Sequence, residues 1–257
     1  MLSSSIKVTL LQQGCFGMTT SPPGVVSAHQ PSYFPWLGLL HKITSSDVYV
    51  LMDDVQLADR NYQHRNLFLG RNGSPRFLTL PISKKGLRAK VIRELPLANS
   101  QWQTDHLNFL SHNYRRAPFY EETMAAIAPV FQKPYALLID VLIDSMLIAF
   151  DQFGIVTPMS RQSNLNYNRD SRKSDLIIAL VQASGASRYL SGEGARGYMD
   201  LAQFKSHGVE VTFQEFSHPT YHQFTTSTAA FVAGMSSVDT MFNLGPQGCR
   251  DLLSKLE

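Results

Sequence analysis

SRYLSGEGARGYMDLAQFKSHGVEVTFQEF, residues 187–216, is the stretch that decides the fold class. It opens with a short apolar run, continues into a helical pattern over 195–208 that a glycine closes, and ends in the strand-like run 209–216. The preceding segment has the same arrangement, with a strand at 155–160 and a helix at 172–186. Strands that alternate with helices in this way are typical of right-handed parallel β/α units, which bind ligands at the carboxyl ends of their strands.

The N-terminal part of the chain adds further strands. Gly24 to Ala28 is short and continuously apolar, as buried parallel strands tend to be, and DVYVLMDDVQ (47–56) predicts a second strand that ends in acidic residues. A helix is predicted between them, over Trp36 to Ile43. PRFLTLPI (75–82) predicts another strand, and the polar, basic stretch RNYQHRN (60–66) before it is turn-like.

The middle of the chain has a helical period instead. The stretches 102–114, 118–132 and 135–154 place apolar residues at i, i+3, i+4 and i+7, and Gly154 is the expected C-cap of the last one. The predicted fold is therefore α/β, with a mostly parallel sheet, flanking helices and an all-helical middle segment.

These patterns predict a domain organisation. Residues 18–98 and 155–257 would form the α/β core, and 99–154 a helical insertion or subdomain, because turn residues mark its two ends. Residues 1–17 are interpreted as a disordered or mis-assigned extension, with Met18 as the natural initiator. This hypothesis depends on the strong strand that begins soon after Met18.

Composition excludes several classes of protein. The 257 residues carry a formal net charge of +3, and the lysines and arginines are scattered, so no nucleic-acid partner is predicted. No apolar run of about 18 residues occurs, so no membrane span is expected. Cys15 and Cys249 lie near opposite ends and make no C-x-x-C pair, which fits reduced thiols in a cytoplasmic protein.

Polar residues follow the predicted parallel strands at their carboxyl ends, where they would collect in one crevice if the strands share a sheet. Adjacent carboxylates end the second strand, and because they point to opposite faces only one could enter the crevice. No metal-ligand spacing accompanies them, so no metal site is predicted. The residues at strand ends are His29, Gln30, Asp53, Asp54, Ser191, Gly192 and Glu193, and Gly194 lies in the loop that follows the last of them. Of the two carboxylates, Asp53 is the catalytic candidate, together with His29 and Gln30.

His29 is the most reactive of these groups near neutral pH. It could act as a general acid or base or bond a phosphate, or it could only fix the turn by bonding its own backbone. Gln30 offers a donor and an acceptor without charge, which suits ligand orientation. The glycines at 192 and 194 would let the backbone approach an anion, although the pattern is neither G-x-G-x-x-G nor a P-loop nor G-x-S-x-G.

Three other groups are candidates for substrate binding, each with a plainer alternative. The donor cluster Arg60, His64, Arg65 and Asn66 suits phosphate or carboxylate, and could equally be a solvated basic loop. FSHPTYHQF (216–224) contributes His218 and Tyr221, although Tyr221 could be a core or lid aromatic. SSVDTMFNLG (236–245) is interpreted as a structural helix capped by serine and closed by Gly245.

Three segments together resemble the WbqC-like family of bacterial proteins. They are HQPSYFPWLGLLHKI (29–43), YLSGEGARGYMD (189–200) with the sequence that follows it to Tyr221, and SSVDTMFNLGP (236–246), so the resemblance spans about Val25 to Gly245. It implies an enzyme encoded with genes for O-antigen and other surface polysaccharides that acts on their precursors. Acyl or aminoacyl transfer to an amino group of a nucleotide-linked sugar would suit that setting.

This chemistry assigns roles to the candidates. Acyl transfer to an amine needs a base and donors for the developing oxyanion, so His29 would be the base and Gln30 or the glycine-loop N–H groups the donors. Lys42 and Arg65 would hold the substrate phosphates. The sequence identifies no cofactor.

Two rival functions stay open. Nucleotidyl transfer or adenylate formation uses H-x-G-H, but His29 and His41 are too far apart for that motif. A non-catalytic sugar-binding module could stack a sugar on Tyr33, Phe34 or Trp36, although a buried cluster under the loop fits these aromatics better.

Overall fold

The computed structural model describes residues 24–58, 62–83, 86–197, 199–225 and 230–256. The predicted extension 1–17 and the proposed start at Met18 lie outside these residues. Backbone contacts divide the chain into two compact units. Of the described residues, unit 1 contains 24–30, 41–53 and 155–217, and unit 2 contains 31–40, the described part of 54–154 and the described part of 218–256.

Six of the seven described strands overlap predicted runs, although the strand in the predicted run 155–160 shares only Met159 and Ser160 with it, and one strand is an addition. The strand Arg65–Leu69 was not expected, because its first two residues belong to a stretch that is polar and turn-like. The strands are β1 (Val25–His29), β2 (Val48–Leu51), β3 (Arg65–Leu69), β4 (Pro75–Thr79), β5 (Met159–Arg161), β6 (Arg188–Ser191) and β7 (Glu210–Phe213).

The helices confirm the predicted all-helical middle, since α2, α3 and α4 follow one another without a strand between them. The helices are α1 (Leu37–Thr44), α2 (Gln101–Tyr114), α3 (Tyr120–Gln132), α4 (Leu138–Phe153), α5 (Lys173–Ala183), α6 (Leu201–Ser206) and α7 (Ser237–Ser254). None of them is long and apolar enough to cross a membrane within the described residues.

Unit 1 is built on a five-stranded, fully parallel sheet with the order β5-β2-β1-β6-β7. β1 is the central strand, and the four residues of β2 are all buried, as expected for strands covered on both faces. This arrangement confirms the predicted α/β class with a mostly parallel sheet. All five strands end at the same edge, where the polar residues were expected to collect.

Helix α6 is shorter than predicted. Residues 195–208 have helical spacing, but the regular helix covers only 201–206. Residues 193–195 form a 3₁₀ turn instead, and the Asp200 side chain accepts a hydrogen bond from the backbone N–H of Gln203 at 3.1 Å. Asp200 therefore caps a helix that starts at Leu201.

Unit 2 contains the remaining elements. β3 and β4 pair with each other as an antiparallel hairpin, so the strand that starts at Pro75 belongs to a separate two-stranded sheet. α4 packs against α7, and α3 contacts both of them. That 99–154 is an insertion into an α/β core stays a prediction, and the structure shows that α2 to α4 belong to the same compact unit as the hairpin and α7.

Gly245 interrupts α7, where the sequence predicted the end of a helix. Its φ of 65° and ψ of 178° are not helical, and Pro246 begins a second helical segment that runs to Ser254. A Cβ at this position would lie 2.5 Å from the ring of Phe119. Both the left-handed φ and the close contact therefore require glycine here.

Candidate functional site

The carboxyl edge of the unit 1 sheet carries a row of side chains in register. His29 at the end of β1 is paired with Leu51 of β2, and Leu51 is paired with Arg161 of β5. Neighbouring strands are about 4.8 Å apart, so the backbone positions of His29 and Arg161 are roughly 10 Å apart. The convergence at the carboxyl edge that the sequence predicted thus includes His29, and it includes an arginine that was not predicted.

His29 is held in one tautomer by its own backbone neighbour. Its Nδ1 lies 2.7 Å from the carbonyl oxygen of Gln30, and a carbonyl can only accept, so Nδ1 carries the proton and donates it. In the neutral ring Nε2 is then the unprotonated nitrogen, and within the described residues no protein group bonds it. The contact with Gln30 agrees with the predicted role in fixing the turn, and the role of Nε2 as a proton acceptor stays a prediction.

The pKa of His29 is lowered to about 4. Burial is the main cause, the positive charge of Lys42 adds to it, and the hydrogen bond to Gln30 opposes both. The imidazole is consequently neutral at pH 7 and available as a proton acceptor. An anion bound near Lys42 would offset the ammonium charge and raise this pKa.

Lys42 is a buried cation. Its side chain reaches the carbonyl oxygen of Ala28, with Nζ at 3.0 Å, and Nζ lies 5.7 Å from the centre of the Tyr189 ring. The residue is only 5% exposed, and in the described part of the chain no carboxylate lies within ion-pair distance of Nζ. Burial lowers its pKa to about 8. An unpaired buried ammonium at a strand end is suited to binding an anion.

Lys42→Met should stabilise the fold and flatten its pH dependence. In the wild type the folded pKa lies below the unfolded value of 10.5, so folded Lys42 binds fewer protons between about pH 8 and 10.5, and stability rises with pH over that window. Burying the charged ammonium lowers the free energy of unfolding by up to about 3 kcal/mol, and this cost is fully present below pH 8. Urea denaturation from pH 7 to 10 checks this, and an equal rise in both proteins would contradict it.

Asp53 is fully buried and its oxygens are occupied. Arg161 Nε donates to Oδ2 at 2.7 Å, and Ser163 donates through its backbone N–H at 2.9 Å and its hydroxyl at 2.7 Å. A catalytic role for Asp53 stays a prediction, and the contacts show a carboxylate that anchors the segment after β5. The adjacent Asp54 belongs to unit 2, where it pairs with Arg93 at 2.7 Å.

The glycine loop after β6 is open at its backbone. A Cβ at Gly192 or Gly194 would meet no other atom within 4 Å, so a ligand could approach the main chain there. Ser191 is buried, whereas Glu193 is exposed and forms a bidentate ion pair with Arg196 at 2.7 and 2.8 Å. Glu193 is thus engaged with its own loop.

The remaining predicted residues lie in unit 2, except Arg60, which lies outside the described residues. Tyr33 is fully buried, with its hydroxyl 3.1 Å from Nδ1 of His106, so it packs in the core and is not presented for stacking on a sugar. Asn66 is also buried and donates to the carbonyl oxygens of Tyr33 and Phe34 at 3.0 and 2.7 Å. Arg65 stacks over the Phe77 ring at 4.3 Å, and its phosphate-binding role stays a prediction.

Tyr221 belongs to a polar cluster around Asp239 of α7, formed by Asp239 with Tyr114, Tyr221 and Gln223, which we call the Asp239 cluster, and His218 lies near it. Asp239 is fully buried; Tyr114 donates to one carboxylate oxygen at 2.9 Å, and Tyr221 and Gln223 donate to the other at 2.7 and 3.0 Å. Burial raises the pKa of Asp239, which these bonds and the nearby His218 partly oppose. The cluster ties the irregular segment after β7 to α7.

Comparison with known proteins identifies the family. The model of the WbqC-like protein family matches residues 30–251, which is most of the chain. The chain belongs to the WbqC-like protein family. This confirms the resemblance seen in the sequence.

A relative of this WbqC-like protein occurs in Mycobacterium tuberculosis (strain ATCC 25618 / H37Rv). The uncharacterized protein Rv1507c is 27% identical over 223 residues, an alignment that covers 86% of this chain and 94% of the relative. No solved structure matches the WbqC-like chain.

Two features of this WbqC-like protein were missed in its sequence. Arg161 directly follows the predicted strand 155–160, so the strand-end argument that selected His29 would have found it. Asp239 lies in a segment that was interpreted as a structural helix, and its neighbours in sequence give no sign of its partners. Within the described residues no three His, Cys, Asp or Glu side chains could together hold a metal ion.

Proposed function

We propose that this WbqC-like protein transfers an acyl or aminoacyl group to the amino group of a nucleotide-linked sugar, in the biosynthesis of bacterial surface polysaccharide. The observation that carries the proposal is the pairing of two groups at the end of the central parallel strand. His29 presents an unprotonated Nε2, and Lys42 is a buried cation beside it. One group can accept a proton, and the other can attract the phosphates of the substrate.

The proposed reaction balances with an acyl thioester as the donor. The amine nitrogen attacks the carbonyl carbon, a C–N bond forms, and the C–S bond breaks. His29 Nε2 takes the proton that the nitrogen loses, and then returns it to the leaving thiolate, so the ring ends neutral. Gln30 and the open N–H groups of the glycine loop are the proposed donors to the oxyanion.

The charge balance supports this order of events. In the free protein Lys42 lowers the pKa of His29, so the ring is neutral before the substrate arrives. Bound phosphate would offset the ammonium and make His29 a stronger base at the moment when it is needed. The same pairing would have no evident use in a module that only stacks neutral sugars.

The test combines ligand screening with product analysis. Thermal-shift measurements with UDP-linked amino sugars, ATP and acetyl-CoA should show stabilisation by the amino-sugar nucleotide, because a ligand of the folded state raises Tm by mass action. Mass spectrometry after incubation with an acyl or aminoacyl donor should then show an amide. UDP-glucose is the matched control, since it keeps the diphosphate but has no amine to acylate.

Two outcomes would overturn the proposal. Release of pyrophosphate with formation of a nucleotidylated product would assign the protein to nucleotidyl transfer. The protein would be a binding module if it bound both UDP-linked amino sugars and UDP-glucose but converted neither of them with any donor tried.

A further inference from the structure

The guanidinium of Arg161 is held in place through its Nε atom. Its Nε donates to Oδ2 of Asp53 at 2.7 Å, and Asp53 is itself fully buried and fixed by two hydrogen bonds from Ser163. The Arg161 side chain nevertheless keeps 30% of its surface exposed. The carboxylate therefore sets the orientation of a cation that solvent and ligands can reach.

The outer edge of this guanidinium is available. An arginine has five N–H donors in a planar fork, and Asp53 accepts only the one on Nε. Across the described ranges no protein acceptor bonds either Nη nitrogen, so the four Nη donors have no protein acceptor. A planar pair of such donors matches two oxygens of a phosphate group.

The position of Arg161 relates it to His29. The register His29 to Leu51 to Arg161 crosses two adjacent strand pairs at the carboxyl edge, so the two residues lie in one row about 10 Å apart. Lys42 supplies a second cation on the side of β1 toward β6, where it approaches the Tyr189 ring. Two cations at this edge suit a ligand with more than one negative charge.

We propose that Arg161 binds the diphosphate of the substrate, and that Asp53 is a positioning residue that aims its guanidinium. The inference rests on the proposed function and deepens it, because it names the substrate class as a nucleoside diphosphate ester. Orienting Arg161 is a role that Asp53 can fill although both of its carboxylate oxygens already accept hydrogen bonds. The bond from Nε would leave the two Nη nitrogens free to bind two phosphate oxygens at once.

Isothermal titration calorimetry of the full chain with UDP and with inorganic pyrophosphate tests the inference. Arg161→Gln should weaken the Kd of both probes about ten- to a hundredfold, since a bidentate charge-assisted contact is lost. Arg188→Gln is the matched control, because Arg188 is an exposed arginine at the amino end of β6 in the same sheet. It should leave both Kd values unchanged.

The positioning role of Asp53 has its own readout. Asp53→Asn removes the charge that orients the fork, so it should weaken UDP binding while Arg161 is still present. Arg161→Lys keeps a cation but loses the fork, and it should also bind UDP several-fold more weakly than the wild type. Arg161→Lys covers the case in which Arg161→Gln does not fold.

The outcomes are separable from those of the proposed function. The inference would be overturned if Arg161→Gln bound both probes with unchanged Kd values. Arg161→Lys serves for this comparison if Arg161→Gln is unfolded. Arg161 would then be only an ion-pair partner of Asp53. Failure of the wild type to bind either probe would also overturn the inference. Binding that depends on Arg161, without any amide product, would support the inference and count against acyl transfer alone.

Discussion

His29→Ala is expected to lower kcat for amide formation by about two to four orders of magnitude, the usual contribution of a general base. The reason is the tautomer, since Nδ1 is committed to Gln30 and Nε2 is the atom that can accept the amine proton. Only the side chain beyond Cβ is removed. The His29 carbonyl oxygen accepts from the Tyr49 hydroxyl at 3.0 Å and from the Met52 backbone N–H at 2.9 Å, and neither bond depends on the imidazole ring.

The pH profile gives this prediction a second readout. His29 must be neutral, so kcat/KM should rise as pH passes about 4, and Lys42 must be charged to attract phosphate, so kcat/KM should fall as pH passes about 8. In His29→Ala the acid limb should disappear from the residual rate. The acid limb of kcat itself should lie at higher pH than that of kcat/KM, because bound phosphate offsets Lys42.

The control is His207→Ala, which removes an exposed histidine at the end of α6 in the same unit. It should keep wild-type turnover and the wild-type profile. Equal turnover in His29→Ala and the wild type, with the true substrates and with matching circular dichroism spectra, would rule out His29 as the base.

Asp239→Ala is expected to lower the free energy of unfolding by about 3 to 5 kcal/mol. The change leaves three buried or half-buried donors, from Tyr114, Tyr221 and Gln223, without the carboxylate that accepts from them. Each unsatisfied donor costs about 1 to 3 kcal/mol, reduced where water can enter. Chemical denaturation at pH 7 measures the loss.

Asp239→Asn should cost less, because the amide keeps one acceptor oxygen of nearly the same shape. It should also remove a pH dependence. Burial raises the folded pKa of Asp239 above its ordinary value, so the folded state holds the proton more tightly and the contribution of Asp239 to stability falls as pH rises from about 3.8 toward that raised pKa. The electrostatic effect of the nearby His218 opposes part of this rise in the pKa of Asp239.

Asp251→Ala is the matched control, since Asp251 lies on the same helix but is exposed, and within the described residues its carboxylate accepts only from the Gln247 side chain. Its effect should stay within about 0.5 kcal/mol. A wild-type denaturation midpoint for Asp239→Ala would show that the cluster contributes nothing to stability. The same pH dependence in the wild type and in Asp239→Asn would contradict the raised pKa.

The sequence by itself determined most of the secondary structure and the class of fold. Apolar runs and helical periods reflect local burial, so β1, β2, β5, β6 and β7 and the three middle helices could be predicted from them. The alternation of strands and helices indicated a parallel sheet, and the strand-end rule then selected His29. Each of these inferences needs only neighbours along the chain.

The tertiary structure alone decided which polar residues are partners. Asp53 and Asp54 are adjacent in sequence, yet one holds Arg161 in unit 1 and the other holds Arg93 in unit 2. Asn66, which was predicted to contact a ligand, donates to the backbone carbonyls of Tyr33 and Phe34. Asp239 accepts a hydrogen bond from Tyr114, which is 125 residues away in the sequence. Periodicity records whether a residue is buried, but a hydrogen-bond partner depends on where distant segments meet, which no local pattern encodes.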